Sequence, residues 1–141
     1  MKPLFFALLL VSACAKQEFR FERIDRDPPV ALPLILEGFS GLRDGAIVNA
    51  EARFAGGSDS VTMSLKVFLR PPAEFQSGTY QGIVDGKMIS GSVDCPSLTF
   101  QGGQTALPSV GGTFILKGDG GAPLFRVTIP ATQLVRKSVG P

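Results

Sequence analysis

Alternation is the feature of this chain that most restricts its fold. In residues 61–70, Val61, Met63, Leu65, Val67 and Leu69 fall on one side and Thr62, Ser64, Lys66 and Arg70 on the other, with Phe68 the exception. Successive side chains of a strand point to opposite faces, so a period of two describes a strand with one buried and one solvated face. Residues 46–54 repeat it: Ala46, Val48, Ala50, Ala52 and Phe54 face one way, and Asn49, Glu51 and Arg53, with Ile47, the other. Residues 124–129 do so again, with Phe125, Val127 and Ile129 inward. No window beyond the first fourteen residues sustains apolar side chains at helical spacing.

The punctuation between these runs is that of strands. Asp85-Gly86 separates residues 79–84 from 87–93 and suits the two positive-φ positions of a type I′ hairpin turn. Gly-Gly pairs at 56–57, 102–103, 111–112 and 120–121 are read as reversals, Pro71-Pro72 as the close of the longest strand, and Pro130 as the end of another. Further short strands are expected at 31–37, 97–101 and 112–117. About eight strands at this spacing fit an antiparallel β-sandwich, a jelly roll being one form of it, with a small β-barrel as the alternative. The alternation does not settle the pairing order.

The N-terminus reads as an address. Lys2 supplies a positive charge, an apolar run extends from Leu4 to Val11, and the small residues Ser12 and Ala13 follow. A run of about eight residues is too short to cross a bilayer, which takes about twenty as helix. Val11-Ser12-Ala13-Cys14 resembles the lipobox of bacterial lipoproteins: an aliphatic residue, two small residues, then cysteine. The resemblance covers the first fourteen residues only. It implies cleavage before Cys14, a diacylglycerol thioether on its sulfur and, usually, an N-acyl group, so that the chain is held on a membrane by its acyl chains. Two or three acyl chains hold durably where one does not. In a host with two membranes, Ala15 in place of an aspartate implies the outer membrane; otherwise the resemblance implies the outer face of the cell membrane. The expected organisation is a signal peptide at 1–13, a lipidated charged tether at 14–29 and a β-sandwich at 30–141.

The tether reading rests on residues 16–27, in which eight of twelve side chains are charged, with both signs mixed, ahead of Pro28-Pro29 as the domain boundary. The competing reading is an edge strand, because Phe19 and Phe21 share one face and Arg20 and Glu22 the other.

Removal of residues 1–13 leaves 128 residues with 13 basic and 12 acidic side chains. A near-neutral chain without a long basic run offers no electrostatic case for nucleic acid. One domain of this size can bury a core without disulfides. With Cys14 acylated, Cys95 has no partner in the chain; burial is its expected state, an intermolecular disulfide or a reactive thiol the alternatives.

Chemistry is represented mainly by absences. The sequence has no histidine, which removes the usual general base, the usual partner of a serine or cysteine nucleophile and the commonest zinc ligand. Carboxylates are left as catalytic candidates: Glu37, Asp44, Glu51, Asp59, Glu74, Asp85, Asp94 and Asp119, most of them at strand ends or turns where aspartate serves local hydrogen bonds. Tryptophan is absent and Tyr80 is the single tyrosine, so platforms for sugars are nearly missing. Calcium would need several oxygens to converge around Asp44, Asp59 or Asp119, and Asp25-x-Asp27 lacks the rest of a calcium loop. No enzyme activity, metal or cofactor is expected. Phe39 and Phe75 are read as core residues, or as the rim of a ligand mouth. Ile47 and Phe68 are read as a patch for a partner, or as residues under a loop.

The expectation is a lipid-anchored, non-enzymatic structural or interaction module of the cell envelope, with the membrane and an envelope protein as partners. The alternative is a small barrel that carries an apolar ligand or lipid. The interior separates them, since a carrier keeps a cavity that side chains leave open.

Overall fold

The computed structural model describes residues 19–69, 73–102 and 107–136. The expected signal peptide, Cys14, Pro71-Pro72 and Gly103 lie outside them. Within them the alternation becomes ten strands: β1 Arg20–Arg23, β2 Val30–Ala31, β3 Ile35–Asp44, β4 Ile47–Gly56, β5 Asp59–Phe68, β6 Glu74–Val84, β7 Lys87–Gln101, β8 Ser109–Lys117, β9 Pro123–Gln133 and β10 Val135–Arg136. A single 3₁₀ turn, Asp119–Gly121, is the only helical element among the described residues. The domain is all-β.

The ten strands form one sheet in the order β10-β3-β4-β5-β6-β7-β8-β9-β1-β2. From β3 to β9 each strand pairs with the next in an antiparallel meander. A sheet of L-residues twists, and register shifts in β3, between β5 and β6, in β7 and between β8 and β9 add local bends. The sheet curls far enough for one run of chain to serve both ends. β9 pairs with β8 and β1, and its continuation β10 reaches β3, pairing Val135 with Ser40 and Arg136 with Gly41 in parallel. The result is a half-barrel whose opposite walls share one core, a form between the expected sandwich and the closed barrel.

That core follows the alternation. β5 buries Val61, Met63, Leu65 and Val67 and exposes Ser64 and Lys66; β4 buries Val48, Ala50, Ala52 and Phe54, with Ala46 half-buried in the preceding turn, and β9 buries Phe125, Val127 and Ile129. Phe21, Phe54, Phe114, Met63, Leu116 and Ile129 are at most 2% exposed and fill the space between the walls. Each such side chain contributes about 1.5–3 kcal/mol of apolar burial.

Four expectations are corrected. Where it is described, the charged N-terminal segment is a strand and not a tether. β1 pairs with β9 and β2, and Phe21 is buried against Phe54 and Phe125 at ring-centroid distances of 5.3 and 5.7 Å. Phe19 stacks on Phe54 at 5.6 Å. The two phenylalanines on one face outweigh the charges, which point outward, where Glu22 meets its cross-strand neighbour Arg126 at 3.1 Å. Pro28-Pro29 therefore lies in the β1–β2 connection and is not the domain boundary. Second, Gly111-Gly112 does not reverse the chain. Both lie within β8, and Gly112, at φ 135°, passes so close to Ser97 that a Cβ would strike its carbonyl. Third, Pro130 does not end its strand: it lies in the irregularity between the pairs Val110–Thr132 and Gly112–Ile129, where a missing N–H leaves the ladder intact. Fourth, residues 97–101 belong to the fifteen-residue β7, continuous through a bulge at Cys95-Pro96.

Candidate functional site

The half-barrel has two unlike ends. One carries the turns Gly57-Ser58, Asp85-Gly86 and 118–122, together with the β1–β2 connection, and is here called the turn end. Asp85-Gly86 has positive φ at both residues, 53° and 75°, as the type I′ reading requires. The turns are tied to one another. The Asp85 backbone N–H donates to Asp59 Oδ1 at 3.1 Å, Arg23 lies 3.6 Å from Asp85, and its Nε donates to Asp25 Oδ1 at 2.8 Å. The Arg23 guanidinium also stands 6.0 Å over the Phe125 ring. The hydrogen bond from Arg23 holds the Asp25 carboxyl below its ordinary pKa.

The other end, here the cleft end, is assembled by closure of the sheet. Leu42 and Arg43 of β3, Leu107, Gln133 of β9, Leu134 and Arg136 of β10 line a cleft of about 470 Å³. Gln133 clamps it: Nε2 donates to the Leu107 carbonyl at 2.9 Å, and Ser109 Oγ lies 3.3 Å from Oε1. The Leu134 N–H donates to the Pro108 carbonyl at 3.2 Å, and its side chain is 3% exposed. Arg136 pairs with Gly41, and Arg43 lies two residues further along the same face of β3, the face on which Leu134 meets Gly41. Arg43 Nε donates to the Gly45 carbonyl at 3.0 Å. Val135, between Leu134 and Arg136, is 66% exposed.

The residues singled out in the sequence are scattered by comparison. Cys14 lies outside the described residues. Cys95 is half-buried, and its thiol donates to the Ser97 carbonyl at 3.3 Å. Burial pushes its pKa up to about 11, the Ser97 contact opposing. A thiol so raised is protonated and a poor nucleophile near neutral pH. Phe39 is buried, and Phe75 packs edge-on to Phe114 at 6.4 Å, both as part of the core. Ile47 and Phe68 are cross-strand partners, each half-buried. Among the carboxylates, Asp94 pairs with Lys117 across β7 and β8, while Asp59 and Asp85 serve the turn end. Among the described residues no three metal-ligating side chains gather.

Arg43, Leu107, Leu134 and Arg136 were not legible as a group. They come from three separated parts of the chain, and no spacing within the sequence announces the parallel β3–β10 pair that unites them. Comparison with protein-family models, curated proteins and solved structures finds no match for the chain.

Proposed function

We propose that this protein is a lipid-anchored lipoprotein of the cell envelope that acts without catalysis, as a structural or interaction module. The observation that carries the choice of module over carrier is the filled interior: Phe21, Phe54, Phe114, Met63 and Leu116 occupy the space a carrier would leave for its ligand. The anchor rests on Lys2, the apolar run and Val11-Ser12-Ala13-Cys14. Acyl chains on Cys14 then hold the half-barrel at the membrane, on the outer membrane of a two-membrane host or the outer face of a single cell membrane. Its outer faces and ends are free to meet an envelope protein.

The test is intact mass spectrometry of the protein extracted from its own membranes in mild detergent. A chain beginning at Cys14 and carrying a diacylglycerol thioether is expected, and Cys14→Ser should incorporate no labelled palmitate. A mass without acyl groups would overturn the anchor. A stoichiometric small molecule retained with the acylated chain would favour the carrier.

A further inference from the structure

We infer that the cleft end is the membrane-facing end of the half-barrel, and that Arg43 and Arg136 receive the headgroups of anionic phospholipids in the bilayer that holds the Cys14 acyl chains. The inference rests on the lipoprotein reading and adds to it an orientation and a lipid site.

Chain direction is the first support. β1 runs antiparallel to β9, and β9 ends at Gln133 on the cleft, so the chain enters β1 from the cleft side. Cys14 lies five residues before Phe19, a reach of at most roughly 18 Å. A tether of that length, entering from that side, brings the cleft end to the bilayer more readily than the turn end.

Charge is the second. The cleft offers two guanidinium groups, which pair with phosphate in a planar fork, and Leu42, Leu107 and Leu134 share its lining. Among the described residues no carboxylate lines the cleft, although Asp44 adjoins Arg43. Val135 is two-thirds exposed beside the arginines, but Met88, Ile35, Ile83 and Val30 are exposed at the turn end, so charge and not apolarity separates the two ends. At the turn end Asp25, Asp27, Asp59, Asp85 and Asp119 face Arg23, Arg26 and Lys87, several already paired with one another. An anionic surface attracts the first end and not the second.

The chain has no tryptophan, so single reporters can be placed. Val135→Trp marks the cleft end and Met88→Trp, at an 89% exposed position next to the Asp85-Gly86 hairpin, the turn end. The acylated protein from native membranes is reconstituted in vesicles of brominated phosphatidylcholine, with or without phosphatidylglycerol, and tryptophan quenching is read. Quenching at 135 and not at 88, stronger with phosphatidylglycerol, is expected. Arg43→Glu with Arg136→Glu should weaken the cleft-end contact by about fivefold or more per arginine. Arg43→Gln with Arg136→Gln gives the same sign if circular dichroism shows the reversal unfolded. Equal quenching at both positions, none at 135, or quenching indifferent to the arginines overturns the inference. Intact mass on the same preparation separates the two failures. An unacylated chain sinks the anchor, whereas an acylated chain that leaves position 135 unquenched sinks the orientation alone.

Discussion

The turn end and the cleft end are made of the same sheet but held by different kinds of interaction. At the turn end, two-residue hairpins at Gly57-Ser58 and Asp85-Gly86 close locally, and exposed side-chain ties such as Arg23–Asp25 and the Asp85 N–H to Asp59 link one turn to the next. Each hairpin is set by its own turn residues, and the ties between turns are exposed. At the cleft end the contacts join β3 to β10, Leu107 to Gln133 and Pro108 to Leu134, residues brought together when the sheet curls. The difference implies that the turn end tolerates single changes, while the cleft end depends on closure as a whole.

The largest effect should come from the side chain that seals the closing strand. Leu134→Ala removes a residue 3% exposed that touches the Gly41 region of β3. It should cost about 3 kcal/mol in urea unfolding, with amide exchange accelerated in β10 and around Gly41 but not at Asp85-Gly86. Uniform acceleration would break the contrast between the ends.

Two glycines sharpen it. Gly112 has φ 135° and the Ser97 carbonyl against it, whereas Gly86 has φ 75° and open space. Gly112→Ala should therefore cost about 2–3 kcal/mol, conformational strain plus displacement of β7. Gly86→Ala should cost only about 1 kcal/mol, the left-handed conformation alone. Equal costs would mean that β7 yields easily.

The third expectation concerns alkali. Cys95 ionises near its ordinary value of 9.0 when unfolded and at about 11 when folded. Its contribution is thus present below the ordinary value and lost as pH rises toward the folded one. Tyr80, raised by burial and donating its hydroxyl to the Lys117 carbonyl at 3.0 Å, acts in the same direction. Unfolding midpoints should fall as pH rises from about 9 to about 11, and Cys95→Ala should flatten part of that slope. An unchanged slope would place the thiol in water.

The smallest effect lies at the turn end. Asp25→Asn should leave the urea midpoint nearly unchanged, since the Arg23 pair is screened by solvent. Because the folded carboxyl titrates below its ordinary value of 3.8, the pair's contribution holds above that value and fades as pH falls through the depressed one. A loss comparable to that of Leu134→Ala would show that the turn end is as cooperative as the cleft.

Much of the fold was legible because strands declare themselves locally. Val61, Met63, Leu65 and Val67 are buried as their alternation requires, and Asp85-Gly86 turns as its residue types require. Residues 16–27 were harder to read. Their charges are a strong solvation signal, and only partners distant in sequence, Phe54 and Phe125, make burial of Phe21 the better state. Gly111-Gly112 misled for a related reason, since a glycine needed for close approach looks the same in sequence as one needed for a turn.

The sequence by itself determined the all-β class, the inward faces of β4, β5 and β9, the hairpin at Asp85-Gly86 and the resemblance of residues 1–14 to a lipoprotein leader. These depend on side-chain period, on the φ preferences of single residues and on a short motif, all local quantities. Only the tertiary structure decided the strand order, the strand at Arg20–Arg23 and the pairing of Arg136 with Gly41 that brings β10 to the strand carrying Arg43. Those follow from how far a ten-stranded sheet curls before β10 finds β3, and curl is the sum of twists and bulges along the whole chain, not a property of any window within it.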